Sequence, residues 1–289
     1  RLARRGPVTD AGKNISEKLA SLWPWLVDET GIRVWELAPG DHEQSLVWLG
    51  HQDGQLTHVV KAHHHFIAAA REREAYRYFG QTLGGGVTEL VAVCPRDPNA
   101  LLMRAAPGEA VSVMTSEVMH SAGEWLRRVH GLPYVDADPL PLSLALQRRL
   151  DGWVGEHDEG ADMGLVERLR DALSHCPDVS RVYCHRDFNE RNWFYEPSSS
   201  NLIVIDFGQT RPDLFLYDFV GLVPHWDEPE LKEAFFSGYG ATLTGPEERT
   251  LLGLVGLHAM GSIAWAQSHD TERPAIEGRR LLAWVATRL

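Results

Sequence analysis

Hydrophobic residues recur with helical spacing at the start of the chain and change to strand-like runs soon afterwards. Between residues 10 and 22 they share one face of a helix, and Pro24 follows, so we predict a short amphipathic helix that ends before it. Three short runs come next, separated by turns that contain Gly and Asp: 32–37, 45–50 and 56–62. This order predicts a three-stranded antiparallel meander.

The pattern stays mixed up to about residue 104 and is mostly helical beyond it. A helix rich in Ala, Glu and Arg is predicted at 65–80 with Gly80 as its stop, and strand-like runs follow at 88–94 and 100–104. Further helices are predicted at 115–130, 141–153, 163–174, 214–223, 229–239, 246–268 and 275–288, with short strands at 181–184 and 202–205. We therefore expect an α+β fold of two lobes. Residues 1–104 would form a small lobe with an antiparallel sheet and one helix, and residues 105–289 a larger, mainly helical lobe.

The composition is that of an ordinary globular chain, since 44% of the 289 residues are hydrophobic and 24% are charged. The formal net charge of -12 argues against nucleic acid as a partner, because phosphate backbones bind basic surfaces. Three widely separated cysteines fit neither a disulfide framework nor a zinc site, and they indicate a reducing cytoplasm. No apolar run approaches the ~20 residues that span a bilayer, and the basic start lacks the apolar stretch of a signal peptide. We therefore expect a cytoplasmic protein with no membrane partner.

Candidate chemistry begins in a polar turn just after the predicted strand 181–184. Asp187 lies there, and a carboxylate at such a position can accept a hydrogen bond, and then a proton, from a substrate hydroxyl. Asn192 is five residues further on and can turn back to offer its carbonyl oxygen to magnesium. We expect His185 to hold this loop rather than to transfer protons. Arg186 either pairs with a carboxylate or lies at the surface.

A second set of polar residues lies at the ends of hydrophobic runs. Asp206 ends the apolar run 202–205, where a carboxylate is placed to bind magnesium, and Gly208 allows a sharp turn beyond it. Lys61 ends another apolar run and can reach nucleotide phosphates. Glu74 on the following predicted helix is the candidate partner that fixes the direction of Lys61.

The consecutive histidines His63, His64 and His65 are not expected to form a metal site. Successive side chains on a strand or helix point in different directions, so the three rings do not meet at one point.

Together these residues resemble a known family. His185-Arg186-Asp187 with Asn192, followed by Asp206-Phe207-Gly208, is similar to the catalytic loop and metal-binding motif of protein kinases. Only nineteen positions separate Asp187 from Asp206, no Lys lies two residues after Asp187, and no Ala-Pro-Glu motif follows. Asp213 and Asp218 come soon after instead. Over residues 30–270 the chain therefore looks like the aminoglycoside phosphotransferase and choline kinase branch of that superfamily.

The resemblance implies roles for further residues. Asp187 would be the catalytic base, and Asn192 and Asp206 the Mg²⁺ ligands. Lys61 would contact the α- and β-phosphates of the nucleotide, with Glu74 as its ion-pair partner. Met103 and Ala105 fall in the segment that resembles the hinge, whose backbone would bind the base of ATP or GTP. The glycine-rich loop of protein kinases is absent from the turn before Ser45, so Ser45 or nearby amides would contact phosphate. Asp218 would be a buried anchor of the catalytic loop.

The acceptor in the resembling family binds in the helical lobe. In this chain that region contains aromatic and acidic residues that could hold a cationic amine: Trp226, Asp227, Glu228, Trp265 and Asp270. For Asp227 and Glu228 the alternative is that they only begin a helix, where acidic side chains favour the positive end of the dipole.

We therefore predict a phosphotransferase that moves the γ-phosphoryl group of ATP or GTP to a hydroxyl of a small molecule. An aminoglycoside-like or other antibiotic is the first candidate acceptor. A metabolic kinase acting on choline, homoserine or a sugar is the alternative of the same class. A nucleotide-binding module of the pseudokinase type, without turnover, and a protein kinase are the alternatives of other classes.

Overall fold

The computed structural model describes residues 10–39, 44–156, 162–269 and 272–289. The chain folds into two compact units. The first comprises the described residues up to Glu109 together with Phe194–Gln209, and the second comprises Ala110–Trp193 with Thr210–Leu289. The expected division into 1–104 and 105–289 therefore differs from the observed one, because the segment 194–209 returns to the first unit.

The first unit is an antiparallel sheet with two helices and an added hairpin. Its elements are α1 (Asp10–Thr30), β1 (Trp35–Leu37), β2 (Ser45–Gln52), β3 (Gln55–His63), α2 (Phe66–Leu83), β4 (Leu90–Val93) and β5 (Ala100–Arg104). The strands are ordered β1-β2-β3-β5-β4, and all neighbouring pairs are antiparallel. The predicted meander of β1, β2 and β3 is confirmed. Alternate residues of β2 point inward, and Leu46 and Trp48 pack in the core of this unit with Val60 of β3.

Helix α1 is longer than the sequence pattern predicts, because it continues through Pro24 to Thr30. Proline inside a helix costs about 3 kcal/mol, since it removes one hydrogen bond and crowds the preceding turn. Leu22 and Leu26 lie on either side of Pro24, and both are fully buried in the core cluster of the first unit. Burial of two leucines stabilises by about 3–6 kcal/mol, which offsets the cost of the proline.

Helix α2 also passes its predicted stop at Gly80 and ends at Leu83. Gly84 follows with φ +63°, a left-handed conformation that glycine adopts without steric cost. The last turn is kept because Phe79 and Leu83 are buried.

The segment 194–209 is tied to the first unit by short contacts. It contains most of β8 (Trp193–Glu196) and all of β9 (Asn201–Val204), which are neighbours in a small sheet. Val204 forms a parallel bridge with Val87, and Asn201 Nδ2 donates to the Gly85 carbonyl at 2.8 Å. These contacts fix the strand that leads into Asp206.

The second unit is mainly helical. Its helices are α3 (Ser116–His130), α4 (Leu142–Glu156), α5 (Met163–Ser174), α6 (Pro229–Tyr239), α7 (Gly245–His269) and α8 (Arg273–Ala286). The short strands β7 (Val182–Cys184) and β10 (Arg211–Asp213) pair antiparallel, and β6 (Glu109–Ala110) lies where the two units divide. Glycines let α3 and α6 approach closely, since a Cβ placed on Gly123 would lie 2.1 Å from the Phe235 carbonyl oxygen.

The helix predicted at 214–223 is not formed. Two 3₁₀ turns occupy Phe215–Phe219 and Val223–His225 instead. Asp218 lies in the first of these turns and is fully buried, and its carboxylate accepts the N–H groups of His185 and Arg186. The contacts of this buried side chain, rather than a helical face, shape the segment. The described helices include none that is both long enough and apolar enough to span a bilayer.

Candidate active site

Lys61 lies near the end of β3 between two carboxylates. Its Nζ is 2.9 Å from Glu72 Oε2 and 2.7 Å from Asp206 Oδ1. The side chains of Lys61 and Glu72 are only 9% and 1% exposed. Burial alone would lower the pKa of Lys61, but Asp206 and Glu72 outweigh it and the net shift is upward. Lys61 is therefore a fixed cation.

The predicted partner of Lys61 was wrong by half a helical turn, because Glu72 and not Glu74 makes the ion pair. Glu74 is 63% exposed, and its carboxylate contacts Arg73 and Arg77 on the outer face of α2. Residues two apart on a helix point about 200° away from each other, so only one of the two can face the sheet. The flanking buried residues Ala69, Tyr76 and Phe79 define that inner face, and Glu72 lies on it.

Asp206 occupies a strained position directly after β9. Its φ is +64°, in the left-handed region that non-glycine residues seldom adopt. Phe207 holds the turn by packing edge-on against Tyr76 and Phe79, with ring centroids 4.9 Å and 5.4 Å away. The side chain of Asp206 stays 44% exposed, so the strain is retained at a carboxylate that solvent can reach.

The three consecutive histidines diverge, as expected. His63 is buried, with Nε2 2.5 Å from Glu72 Oε2, whereas His64 and His65 are exposed. Tyr76 approaches the same carboxylate from α2, and burial together with Glu72 and Asp206 raises the pKa of its hydroxyl far above the usual range. Glu72 is thus enclosed by Lys61, His63 and Tyr76.

The residues expected to contact the nucleotide lie on strands of the first unit or directly after one. Ser45 begins β2 opposite His63 and is half-buried, while Met103 is buried in β5 opposite Val59. The Ala105 N–H donates to the Thr57 carbonyl at 2.9 Å, so it is not available to a base and only the Ala105 carbonyl remains. Within the part of the chain that is described, the next amide, Ala106 N–H, makes no backbone hydrogen bond.

The loop around Asp187, in the second unit, is anchored by Asp218. Asp218 is 1% exposed, and its two oxygens accept the backbone N–H groups of His185 and Arg186 at 2.9 and 2.6 Å. His130 Nε2 lies 3.1 Å from the same carboxylate. Buried carboxylates require such donors, and here the donors are the loop itself. The role expected of Asp218 agrees with this geometry.

Arg186 fixes the loop from its other side. Its guanidinium pairs with Asp213, which Arg149 also contacts at 2.9 Å, and it stacks on the Tyr217 ring at 3.9 Å. Asp213 is fully buried. Burial lowers the pKa of Arg186 to about 10, which leaves it charged at neutral pH. Of the two possibilities left open by the sequence, pairing with a carboxylate is the one observed.

Asp187 is oriented by two amide side chains. Asn189 Nδ2 donates to Asp187 Oδ1 at 2.8 Å, and Asn192 Nδ2 donates to Asp187 Oδ2 at 3.1 Å. The Asp187 N–H donates to His185 Nδ1 at 3.3 Å, so the His185 ring supports the loop backbone. A carboxylate held in this way has a fixed direction in which to receive a proton.

Asn192 and Asp206 each carry an oxygen atom that is suited to Mg²⁺. Since Asn192 Nδ2 is committed to Asp187, its Oδ1 faces away and accepts no hydrogen bond among the described residues. Asp206 offers a partly exposed carboxylate. Amide and carboxylate oxygens are the ligands that this hard cation prefers, so both residues fit the group.

A cavity of about 360 Å³ opens beside Asp187 within the second unit. Loop residues 186–191, Tyr217, Val220, Gly221, Pro224 and His258 line it, together with the start of α8. Its volume is at the small end of the range of about 300–1,000 Å³ found for small-molecule sites. Burial lowers the pKa of His258, against the opposite effect of Asp187, and so favours the neutral ring.

Of the residues expected to hold the acceptor, the four that the structure describes do not line this cavity. Trp226 packs among Phe219, Phe235 and Phe236, and Asp227 pairs with Arg288 at 3.1 Å. Glu228 precedes α6 without a side-chain capping bond, and Trp265 lies half-buried on α7. Asp270 lies outside the described residues. Their position in the helical part of the sequence was not enough to predict which side chains lie beside Asp187.

Sequence reasoning also missed residues that contact Lys61 in the first unit or surround Asp187 in the second. Glu72 could have been found from the apolar face of α2, because Ala69 and Tyr76 flank it at helical spacing. Asn189 carries a signal as well, since it lies where protein kinases of the serine/threonine type have Lys. For His258 and the α8 arginines no local pattern distinguishes them from a solvated helix face.

Comparison with known proteins agrees with this fold. Solved structures with the same fold include an aminoglycoside phosphotransferase in complex with GDP and kanamycin, which is 14% identical with a TM-score of 0.71 over 93% of this chain and 99% of that one. A choline/ethanolamine kinase family protein from Mesorhizobium loti is 16% identical, with a TM-score of 0.69 over 94% of each chain. A macrolide 2′-phosphotransferase is 14% identical, with a TM-score of 0.65 over 96% and 99%.

A search of curated proteins finds no significant match. The family model described as "APH: Phosphotransferase enzyme family" matches residues 34–252, which contain Lys61, Asp187, Asn192 and Asp206. The predicted kinase-like fold and the family resemblance are both confirmed. The chain belongs to the APH phosphotransferase enzyme family.

Proposed function

We propose that this protein transfers the γ-phosphoryl group of ATP or GTP to a hydroxyl of a small molecule, with Asp187 as the catalytic base. The observation that carries the proposal is the Asp187 carboxylate, which two amide donors orient at the edge of a cavity of small-molecule size. Neighbouring structures contain GDP, ATP or ADP, which supports a nucleoside triphosphate as the phosphoryl donor.

In the proposed reaction the acceptor hydroxyl donates its proton to Asp187 while its oxygen forms a bond to the γ-phosphorus. The bond from the γ-phosphorus to the bridging oxygen breaks, and ADP or GDP leaves. Lys61, fixed by Glu72, binds phosphate oxygens as a cation. Asn192 and Asp206 would hold Mg²⁺, which neutralises phosphate charge when bound.

The nucleotide base is proposed to meet the chain just after β5. The Ala105 carbonyl and the Ala106 N–H are an acceptor and a donor on adjacent residues, which suits the edge of a purine. Met103 would pack against the ring, and Ser45 would contact phosphate. The preference between ATP and GTP depends on which edge of the base these two groups bind.

The Asp187→Asn variant tests the proposal. It keeps the size of the side chain but cannot take a proton, so we expect kcat to fall by about 10²–10⁴-fold while Mg-nucleotide binding is kept. The assay is a mass-spectrometric screen for a phosphate-sized mass gain across antibiotics and common metabolites, with ATP and GTP in parallel. Equal turnover by the variant would remove Asp187 from its role.

The same screen separates the other candidates. A non-catalytic nucleotide-binding module would show a thermal shift with Mg-ATP or Mg-GTP but no transfer to any acceptor. A protein kinase would phosphorylate generic protein substrates and none of the small molecules. An antibiotic acceptor is supported by the kanamycin, gentamicin and streptomycin complexes among the neighbours, and a metabolic acceptor by the choline/ethanolamine kinase relative.

A further inference from the structure

The cavity beside Asp187 has an unusual charge for a chain whose net charge is -12. Four arginines line it, against three carboxylates. The cations are Arg186, Arg191, Arg273 and Arg280, and the carboxylates are Asp187, Glu190 and Glu277. The surroundings of the reacting carboxylate are therefore cationic in an otherwise acidic protein.

Most of these charges already have partners. Arg186 pairs with the buried Asp213, and Arg273 Nε lies 2.9 Å from Glu277 Oε1. Glu190 Oε2 lies 3.4 Å from the Nε2 atom of His225, and this contact lowers the pKa of Glu190. The two acidic side chains other than Asp187 are thus engaged and do not offer a free site to an ammonium group.

Two of these arginines have no carboxylate partner among the described residues. Among the described residues neither Arg191 nor Arg280 has an acidic partner within 4.0 Å, and both are exposed to the cavity. Arg191 Nε instead donates to Asn189 Oδ1 at 3.2 Å, and the Nδ2 atom of Asn189 donates to Asp187. A group bound by Arg191 is therefore two hydrogen bonds away from the catalytic carboxylate.

Helix α8 contributes three of these charged residues from one face. The helix begins at Arg273, and Arg273, Glu277 and Arg280 lie at i, i+4 and i+7 on the face that lines the cavity. The first turn of a helix favours anions, because its N–H groups have no partner within the helix.

We infer that the acceptor carries an anionic oxygen group, a carboxylate or a phosphate, which Arg191 and Arg280 bind while its hydroxyl faces Asp187. This inference rests on the proposed phosphotransferase function. Guanidinium groups bind planar carboxylates and phosphates through paired hydrogen bonds. A polycationic aminoglycoside would instead place its ammonium groups beside unpaired arginines, and such juxtaposition of like charges selects against it. The acceptor class is a hydroxylated acid or a sugar phosphate.

Phosphoryl transfer to matched pairs of acceptors, one anionic and one neutral, tests the inference. We would compare glycerate with glycerol, gluconate with glucose, and ribose 5-phosphate with ribose, and include kanamycin as the polycation. Wild type is expected to have a higher kcat/KM for the anionic member of a pair. The first two pairs report on a carboxylate and the third on a phosphate. Preference for a neutral member or for kanamycin would overturn the inference.

The double variant R191Q/R280Q should lose that preference by about ten- to a hundred-fold per arginine, since each removes charge-assisted hydrogen bonds. Arg279→Gln is the matched control, because Arg279 is the exposed neighbour of Arg280 and does not line the cavity. Arg280→Lys should restore part of the effect, because it keeps the charge.

Sulfate binding tests the anion site without catalysis. Calorimetric titration with sulfate, in the presence of excess Mg-ADP to fill the nucleotide site, is expected to show binding to wild type and Arg279→Gln and at least tenfold weaker binding to R191Q/R280Q. Equal affinity in all three proteins, or no binding to wild type, refutes the site. Loss of sulfate binding in the double variant together with transfer to no acceptor would keep the anion site and reject the proposed function.

Discussion

The ion pair between Lys61 and Glu72 gives a sharp test of how the first unit holds its lysine. Replacing Glu72 by Gln keeps the size of the side chain and removes the charge that faces Lys61 at 2.9 Å and His63 at 2.5 Å. Replacing Glu74 by Gln makes the same chemical change two residues away on the exposed face of α2. The two variants therefore differ only in location.

The expected magnitudes follow from burial. Removing one partner of a buried ion pair costs about 3–5 kcal/mol, because the other charge is left without compensation. Asp206 still contacts Lys61, which places Glu72→Gln at the lower end, about 3 kcal/mol or a Tm lower by roughly 6–12 °C. The Glu74 pairs are exposed, and pairs of that kind contribute about 0–1 kcal/mol.

Two measurements check these values. Urea unfolding and thermal melting report stability, and calorimetric titration with Mg-ADP reports how well Lys61 is held for phosphate. We expect Glu72→Gln to weaken Mg-ADP binding about tenfold or more, since a charged contact contributes about 1.5–3 kcal/mol, and Glu74→Gln to bind as wild type does. If both variants behave alike, or if Glu74→Gln is the weaker binder, then Glu72 is not the residue that directs Lys61.

Three further changes probe other parts of the chain. Asp218→Asn leaves two buried backbone N–H groups of the catalytic loop with one acceptor oxygen, and we expect a loss of about 3 kcal/mol or more in urea unfolding together with a large fall in kcat. Gly238→Ala places a Cβ 2.0 Å from a carbonyl oxygen of α3 and should destabilise the protein by more than about 2 kcal/mol. Gly152→Ala is the control, because its Cβ on helix α4 meets nothing within 4 Å, and it should stabilise the protein by about 0.5–1 kcal/mol. Equal melting temperatures of the two variants would contradict the close packing of α3 and α6. Burial raises the pKa of the Cys176 thiol to about 11. The rate of its alkylation, measured by peptide mass spectrometry, should therefore rise about tenfold per pH unit between pH 8 and 10. A rate that levels off near pH 9 would show an ordinary thiol.

The local sequence pattern was sufficient to predict those candidate site residues that lie together in one short segment. The loop 184–192 is polar, follows a strand and carries Asp187 and Asn192 at a spacing at which both side chains converge, and the structure shows that convergence. The sheet meander was also readable, because the side chains of β2 alternate between core and surface with the period of a strand.

The predicted ends and types of some elements were wrong where contacts with distant parts of the chain outweighed the local preference. Helix α1 passes Pro24 because Leu22 and Leu26 are buried by strands that come later in the chain. The segment 214–223 is not helical because Asp218 is drawn inward by the loop N–H groups, which lie more than thirty residues earlier. Neither contact can be predicted from the local sequence pattern.

The sequence by itself determined the family, the order of most elements and the candidate reacting groups, because each depends on residues close together along the chain. The tertiary structure alone decided which glutamate meets Lys61 and which side chains surround Asp187. An Arg on a surface helix has the same local pattern whether it faces solvent or a cavity, and only the packing of α8 beside the loop distinguishes the two. The charge of the cavity beside Asp187, and with it the inferred acceptor class, therefore followed from packing and not from the sequence pattern.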